Sequence, residues 1–187
     1  MPQSTLEMLE TLDAAGRPAG LCPRAIVHRS GLWHRSVNVI LLRPDDQMIL
    51  QQRSHLKDVC PGAWDLSIAE HLQPGESFHD AALRGLEEEL SLTGIVLAPW
   101  GGEISLRYEP AGSGIKDFEI QRLFVGRTDR DPPSGNDEVA ATRCAPLEEV
   151  MQIRTNAPET LTPWFTAWLG VLEKTRFDCA DWPTRPA

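Results

Sequence analysis

Carboxylates are concentrated in one short segment of the sequence, between residues 70 and 92. Its apolar side chains recur at helical spacing after the break at Pro74-Gly75, which predicts a helix from an N-capping Ser77 to about Ser91. Four glutamates lie on this helix or in the loop before it: Glu76, Glu87, Glu88 and Glu89. Carboxylate oxygens held close together are ligands for Mg²⁺ or Mn²⁺. The segment therefore predicts either a metal site or a solvated acidic surface.

The positions of these glutamates around the helix separate their roles. At about 100° per residue, Glu87 points away from the apolar stripe and is expected to face solvent. Glu89 lies at the edge of the stripe, where an ionised carboxylate needs a cation or a hydrogen bond. Glu88 lies on the other side of Gly85, so Glu88 and Glu89 can converge on one cleft and bind metal. The alternative is an exposed face with an ion pair between Arg84 and Glu88.

The spacing of these residues resembles the Nudix box, G-x5-E-x7-R-E-U-x-E-E-x-G-U, in which U is an aliphatic residue. Six characters fall at the required offsets: Glu76, Arg84, Leu86, Glu88, Glu89 and Leu92. Three positions depart, because Glu70, Gly85 and Ser91 stand where the pattern has Gly, Glu and Gly. The resemblance implies an α+β fold, a Nudix-type α/β/α sandwich with a mixed central sheet. It also implies metal-dependent chemistry on a diphosphate.

Residues outside the box extend the resemblance to the Nudix branch of type I isopentenyl-diphosphate isomerases, over roughly residues 25–170. The matching stretches include HRSGLWHRSV, QQRSHLKDVCPGAWDLS, AEHLQPGES and TPWF. In that branch histidines and acids hold a divalent metal, and the resemblance implies this role for five residues here: His28, His34, His71, Asp117 and Glu119. Imidazole combined with carboxylate suits Mn²⁺, Zn²⁺ or Fe²⁺ better than Mg²⁺.

The same resemblance implies a binding site for a diphosphate. Arg53 and Lys57 match the cations that bind the diphosphate in the isomerases, where Arg offers a fork and Lys a point charge. Glu89 matches the glutamate that holds Mg²⁺ beside the diphosphate. Tyr108 and Trp164 match aromatic side chains that line the active site.

Two departures from the isomerase branch favour hydrolysis. The isomerases move protons on carbon with a cysteine, and Ala69, which stands at that position, has no proton to give. Gly85 stands where the isomerases have a phosphate-binding Arg. We therefore expect hydrolysis of a nucleoside-diphosphate-linked or related organic pyrophosphate, with Mg²⁺ or Mn²⁺ held by Glu88 and Glu89. Arg84 is expected to contact substrate and to orient the carboxylates of the box, Glu76 in particular.

Three functions stay open on the sequence. In the favoured hydrolase, Glu119 or Asp117 accepts the proton of the attacking water in place of the glutamate missing at Gly85. The first alternative is isopentenyl-diphosphate isomerase activity through an unusual acid. The second is a catalytically weak metabolite-binding or regulatory protein. The expected partner is a small-molecule diphosphate, and a homodimer is compatible with the sequence.

Short strands and turns surround these motifs, with few helices. Leu161, Trp164, Phe165, Trp168 and Leu172 share helical spacing near the C-terminus. A helix over residues 5–15 is an alternative to the first strand. Together these patterns predict one domain over residues 1–187, with its core at about 25–170. The expected strands are 6–13, 20–28, 37–42, 48–53, 64–68, 95–108, 117–127 and 137–144, with helical stretches after Pro146 and Pro158.

Composition excludes several other classes of protein. The chain has 187 residues and a formal net charge of −9, which disfavours binding to nucleic acid or to an anionic membrane. No apolar run approaches the ~20 residues that span a bilayer, and no secretion signal is recognisable. Four scattered cysteines, Cys22, Cys60, Cys144 and Cys179, are expected to be reduced thiols. These features predict a cytoplasmic protein.

Overall fold

The computed structural model describes residues 7–132 and 135–175, which form one mixed sheet with helices on both faces. The strands in these ranges are β1 Met8–Leu12, β2 Pro18–Pro23, β3 Trp33–Leu42, β4 Met48–Arg53, β5 Trp64–Asp65, β6 Ile68–His71, β7 Leu97–Tyr108, β8 Asp117–Arg127 and β9 Val139–Ala145. The helices are α1 Arg24–Ser30, α2 Phe78–Leu90, α3 Leu147–Asn156 and α4 Pro163–Lys174, with a 3₁₀ turn at Pro158–Thr160.

Strand β3 organises the sheet because it pairs with several other strands. It runs parallel to β8 from Trp33 opposite Phe118 to Leu42 opposite Arg127. It runs antiparallel to β6, and it also pairs with β1 and β4. A parallel pair needs a long crossover connection, and here β4 to β7 and helix α2 lie between β3 and β8. Segments distant in sequence therefore meet beside β3.

Alternate side chains of β3 enter two different hydrophobic cores. Ile40 and Leu42 are buried with side chains of α4, including Phe165. Val39 and Leu41 are buried on the opposite face with side chains of α2, including Leu86. A strand that is apolar on both faces is typical of a sheet covered by helices on both sides. The structure thus confirms the predicted α/β/α sandwich with a mixed central sheet.

Helix α2 begins and ends as its sequence predicts. The Ser77 side chain accepts a hydrogen bond from the backbone N–H of Asp80 at 3.1 Å, which caps the N-terminus. Ser91 ends the helix with a φ of 53°. The predicted apolar stripe is confirmed, because Ala82, Leu86 and Leu90 are fully buried.

The prediction of one strand over residues 20–28 is wrong after Pro23. A helix, α1, begins at Arg24 and ends before Gly31, whose φ of 67° is a left-handed C-cap. Proline before a helix and glycine after it suit the two ends of a helix, because proline fixes φ and glycine tolerates the left-handed conformation. His28 is therefore carried by a helix, not by a strand.

The prediction of one strand over residues 64–68 is also wrong. The segment forms two short strands with different partners, since β5 pairs with β4 and β6 pairs with β3. The helical alternative for residues 5–15 is replaced by strand β1 from Met8. Residue 6, where the first strand was expected to begin, lies outside the described residues.

None of the helices in the described part of the chain has the length and apolar character needed to cross a membrane. The thiols of Cys22, Cys60 and Cys144 are free, as expected, and Cys179 lies outside the described residues.

Candidate functional site

Three histidines from three different elements meet at one end of the sheet. His28 comes from α1, His34 from β3 and His71 from β6, and the centroids of their rings are 5.0 to 5.2 Å apart. The His34 side chain is only 1% exposed. The register of the sheet explains the meeting, because Ser36, two residues after His34, lies opposite His71 in the antiparallel pair of β3 and β6.

Strand β8 adds two acids to these histidines. Oδ1 of Asp117 lies 3.5 Å from Nε2 of His28 and 3.4 Å from Nε2 of His34. Oε1 of Glu119 lies 3.6 Å from Nε2 of His34 and 3.3 Å from Nε2 of His71. The three histidines and two acids to which the isomerase resemblance assigns a metal are therefore neighbours.

The donor atoms of this cluster fit a divalent metal. One ligand atom from each of His28, His34, His71 and Asp117 lies within 4.8 Å of the other three. Among the described residues, Nε2 of His28, Nε2 of His34 and Oδ1 of Asp117 are buried without a hydrogen-bond partner. The other ring nitrogens of two histidines are engaged, that of His34 with the Leu32 carbonyl at 3.1 Å and that of His71 with Glu7 at 3.2 Å. This arrangement orients imidazoles toward a shared centre.

Burial and neighbouring charges shift the pKa values of the cluster in different directions. Burial lowers the pKa of His28 to about 2. Burial also acts to lower the pKa of His71, but hydrogen bonds with Glu119 and Glu7 outweigh it and raise that pKa to about 10. Burial and the charge of Glu119 raise the pKa of Asp117 to about 6. The pKa of Glu119 is lowered despite burial, because the imidazoles of His34 and His71 lie 3.6 and 3.3 Å from its Oε1 and favour the ionised carboxylate.

Three basic side chains line the same pocket as this cluster. Arg53 is 6% exposed, donates from Nε to the Val59 carbonyl at 3.1 Å and lies 5.0 Å from the centre of the Trp164 ring. Lys57 forms an ion pair with Glu138. The structure places the predicted Arg53, Lys57 and Trp164 together at the pocket. It adds Arg24, which sequence reasoning missed because its segment was taken for a strand.

A buried carboxylate connects two of these residues. Asp65 is fully buried and accepts hydrogen bonds from Trp164 Nε1 at 2.8 and 2.9 Å and from Thr162 Oγ1 at 2.8 Å. Its Oδ2 also lies 3.5 Å from the Arg53 guanidinium. Sequence reasoning missed Asp65, because the partners of its side chain are distant along the chain.

The three glutamates of helix α2 differ in burial, and the expectation that Glu88 and Glu89 converge on one cleft is wrong. Glu89 is 3% exposed, lines the pocket and accepts a hydrogen bond from Gln51 Nε2 at 2.7 Å. Burial raises its pKa to about 8. Glu88 does not converge with it, since its side chain is 54% exposed and pairs with Arg84 at 3.0 Å. Glu87 is exposed, as predicted.

Arg84 has a structural role in this pocket wall. Its guanidinium donates hydrogen bonds to Glu76, to Glu88 and to the His71 carbonyl at 2.8 to 3.0 Å. It therefore orients Glu76, as expected, but its donors are already used and it does not line the pocket. The prediction that Arg84 contacts substrate is not supported by this placement.

Tyr108 lies opposite Asp117 in the antiparallel pair of β7 and β8, but it does not line the histidine pocket. It lines a neighbouring groove with Cys60, whose Sγ is 3.6 Å from the Tyr108 hydroxyl. Burial and the hydrogen bond with Cys60 raise the pKa of Tyr108 to about 12. The structure thus separates Tyr108 from Trp164, which lines the histidine pocket.

Several polar residues of the pocket were not predicted, although the sequence contains a signal for them. Ser36 and Asn38 follow His34 at intervals of two along β3, and Gln121 follows Asp117 and Glu119 at the same interval along β8. Side chains two apart on a strand share a face. These residues therefore lie on the same strand faces as the candidate metal ligands. The two-residue periodicity of side chains along a strand would have identified them.

The fold and this site are those of a Nudix protein, and comparison with known proteins agrees. The family model for the NUDIX domain matches residues 32–165. The chain belongs to the Nudix family.

The similar curated proteins include two isopentenyl-diphosphate Delta-isomerases. That of Streptomyces griseus is 31% identical over 171 residues, covering 90% of this chain and 83% of the relative. That of Jannaschia sp. is 32% identical over 167 residues, covering 88% and 86%. These matches agree with the branch of the family inferred from the sequence.

Similar solved structures support the fold alone, because their sequences are only 20% identical to this one. The DR0079 protein of Deinococcus radiodurans superimposes with a TM-score of 0.71 over 88% of this chain and 98% of its own. A MutT protein from Methanosarcina mazei gives 0.62 over 78% and 96%.

Proposed function

We propose that this protein is a metal-dependent hydrolase that cleaves the diphosphate bond of a nucleoside-diphosphate-linked compound or a related organic pyrophosphate. The observation that supports this proposal best is the composition of one pocket. It combines the histidine–carboxylate cluster with Arg53 and Lys57. A diphosphate needs both kinds of group, since cations bind its oxygens and a metal activates the reaction.

The histidine cluster is the proposed metal site, and Glu89 is proposed to hold a further Mg²⁺ or Mn²⁺ beside the diphosphate. Bound there, a divalent cation neutralises charge on phosphate oxygens and lowers the pKa of an attacking water. Arg53 is pre-oriented by Asp65 and by the Trp164 ring, so its guanidinium can bind phosphate without large rearrangement. Lys57 exchanges Glu138 for a phosphate oxygen when substrate binds.

A carboxylate of the pocket must accept the proton that the attacking water loses. Glu119 is suited to this because the neighbouring imidazoles of His34 and His71 lower its pKa and keep it ionised. Asp117 is the other acid at this position, although burial raises its pKa. The low pKa of Glu119 makes it a weaker base, but one that is always ready to accept a proton at neutral pH.

The second candidate is isomerisation of isopentenyl diphosphate, which the names of the relatives favour. Ala69 argues against it, because this residue lines the pocket where the resemblance places a cysteine. Cys60 does not replace that thiol, since it lies in the neighbouring groove beside Tyr108. Hydrolysis needs no proton donor to carbon and is therefore favoured.

A phosphate-release screen with Mg²⁺ or Mn²⁺ tests the proposal. The substrates are nucleotide sugars, dinucleotides, coenzyme A esters and isoprenoid diphosphates, and product analysis includes dimethylallyl diphosphate. We expect metal-dependent release of a monophosphate from at least one compound. Formation of dimethylallyl diphosphate without phosphate release would favour the isomerase. Tight binding of one compound without any turnover would identify a binding protein.

A further inference from the structure

Two departures from the Nudix box, Glu70 and Gly85, are in direct contact in the folded protein. A Cβ atom built on Gly85 would lie 3.3 Å from Cβ and 3.6 Å from Cγ of Glu70. The Glu70 side chain, on strand β6, therefore covers the position from which a side chain at 85 would extend from helix α2. Compared with the Nudix box, helix α2 lacks a carboxylate at position 85, and strand β6 has an additional one at position 70.

The Glu70 carboxylate is held in place at the pocket. Oε1 accepts a hydrogen bond from the backbone N–H of His71 at 2.8 Å, and Oε2 lies 3.5 Å from Arg84. Glu70 lines the pocket with Glu89, and its side chain is 19% exposed. A ligand atom of Glu70 also lies within 4.8 Å of ligand atoms of Glu7 and His71.

The charges around Glu70 and Glu89 call for a cation. The basic residues of the pocket are already engaged with other acids: Arg24 with Glu7 and Asp58, Arg53 with Asp65, and Lys57 with Glu138. Arg84 directs two of its hydrogen bonds to Glu76. Glu70 and Glu89 therefore have no basic residue of the pocket to themselves. Burying two such carboxylates at one pocket wall destabilises the protein unless a further positive charge binds.

An unpartnered amide on the histidine side of this pocket indicates that the pocket holds a ligand. Asn38 lies opposite Ala69 in the sheet, is 1% exposed and lines the same pocket. Among the described residues, neither its Oδ1 nor its Nδ2 has a hydrogen-bond partner. Buried amides are normally satisfied, and a hydrated cation or a phosphate oxygen would satisfy this one.

We infer that Glu70 replaces, from strand β6, the carboxylate that helix α2 lacks at Gly85, and that Glu70 and Glu89 together bind a divalent cation that carries the diphosphate. Carboxylate oxygens from two elements suit Mg²⁺ or Mn²⁺, which also accept water and phosphate oxygens as ligands. The inference rests on the proposed function for the identity of the diphosphate, but not for the cation site itself.

Mn²⁺ binding is measured by calorimetry or electron paramagnetic resonance with and without methylenediphosphonate, a diphosphate that resists hydrolysis. The Mn²⁺ that binds only with the diphosphonate reports this site, and the Mn²⁺ that the histidine cluster holds is subtracted. Glu70→Gln keeps the shape of the side chain and removes its charge, and we expect at least tenfold weaker Mn²⁺ binding. Glu87→Gln, on the exposed face of helix α2, is the control and should bind as the wild type does. Equal Mn²⁺ affinity in Glu70→Gln and wild type would overturn the inference.

Moving the carboxylate back to the helix is a second test. Gly85→Glu alone should disturb folding, because its Cβ would meet Ile68 and Glu70 at 2.9 and 3.3 Å. Glu70→Gly removes one of these contacts, and the other is with Cδ1, the terminal atom of the Ile68 side chain. The double variant Glu70→Gly/Gly85→Glu should therefore fold and recover most of the Mn²⁺ affinity that Glu70→Gly loses. Failure of a folded double variant to recover it would contradict the exchange of positions.

The outcomes separate this inference from the proposed function. If the wild type releases phosphate and Glu70→Gln is equally active and binds Mn²⁺ equally well, the inference fails and the hydrolase stands. If the wild type releases no phosphate but Glu70→Gln still loses Mn²⁺, the cation site stands and the hydrolase fails.

Discussion

The carboxylate of Asp65 accepts the indole N–H of Trp164 with both oxygens, at 2.8 and 2.9 Å, across 99 residues of sequence. This contact attaches helix α4 to strand β5, and it fixes the ring on which the Arg53 guanidinium lies. One buried residue therefore orients both an aromatic and a cationic side chain of the pocket.

Replacing Asp65 with Asn should destabilise the protein and weaken substrate binding. An amide offers one acceptor oxygen in place of two and leaves Arg53 without its carboxylate. Loss of such buried hydrogen bonds to a charged group costs about 2–3 kcal/mol, measurable by urea unfolding, and KM should rise more than kcat falls. Asp58→Asn, at a side chain 64% exposed, is the matched control and should change stability by less than about 1 kcal/mol. Equal effects of the two variants would contradict the proposed role of Asp65.

Glu89→Gln should remove most phosphate release while the protein stays folded. The amide keeps the shape of the side chain within the pocket wall but loses the charge that binds a cation beside the diphosphate. Loss of one metal ligand in the transition state costs ~3–5 kcal/mol, or roughly 10²–10⁴ in rate. Glu87→Gln lies on the exposed side of the helix and should retain activity. Similar losses in both variants would show that Glu89 has no special role.

A divalent cation should stabilise the native protein. The unpartnered donor atoms of His28, His34 and Asp117 are ordered only in the folded chain, so binding there raises the free energy of unfolding by about 2.7 kcal/mol at a hundredfold excess over Kd. Melting curves with Mn²⁺ and with a chelator measure this shift. His34→Gln should reduce it, because the histidine cluster loses one of its ligands, whereas the exposed His79→Gln should not. A melting temperature that does not respond to Mn²⁺, Zn²⁺ or Mg²⁺ would exclude the site.

Metal affinity should increase as pH rises from about 6 to 8. In the metal-free protein the pKa of His71 is about 10 and that of Asp117 is about 6. Both raised values mean that protons are bound at low pH and must leave before Nε2 of His71 and the carboxylate bind metal. Each displaced proton strengthens binding up to about tenfold per pH unit. Calorimetry in buffers of different ionisation enthalpy should detect proton release, and a Kd independent of pH would contradict these assignments.

The wild-type protein should form no dimethylallyl diphosphate from isopentenyl diphosphate, because Ala69 has no proton to donate. Ala69→Cys places a thiol on the pocket wall beside Asn38, its partner in the sheet. This variant tests whether the lost thiol alone prevents isomerisation. An enzyme-like rate of isomer formation in the wild type would make isomerisation the primary function.

Local patterns in the sequence were sufficient to predict helix α2 and most of the strands. The capping Ser77 and the 3.6-residue spacing of its apolar side chains involve neighbours along the chain, so their physical basis is local. The resemblance to the isomerase branch likewise identified the five residues that meet as the histidine–carboxylate cluster. Local patterns failed at residues 24–30, where Pro23 and Gly31 were not read as the two ends of a helix.

The sequence by itself determined the layered α/β fold, the burial of Glu89, the exposure of Glu87 and the set of metal-binding residue types. Only the tertiary structure decided that Glu88 turns to Arg84 and away from the pocket, that Asp65 supports Trp164, and that Glu70 covers Gly85. Periodicity shows which side chains share a face, because that depends on the geometry of one element. It does not show which faces meet, because that depends on the pairing of strands and helices far apart in the chain.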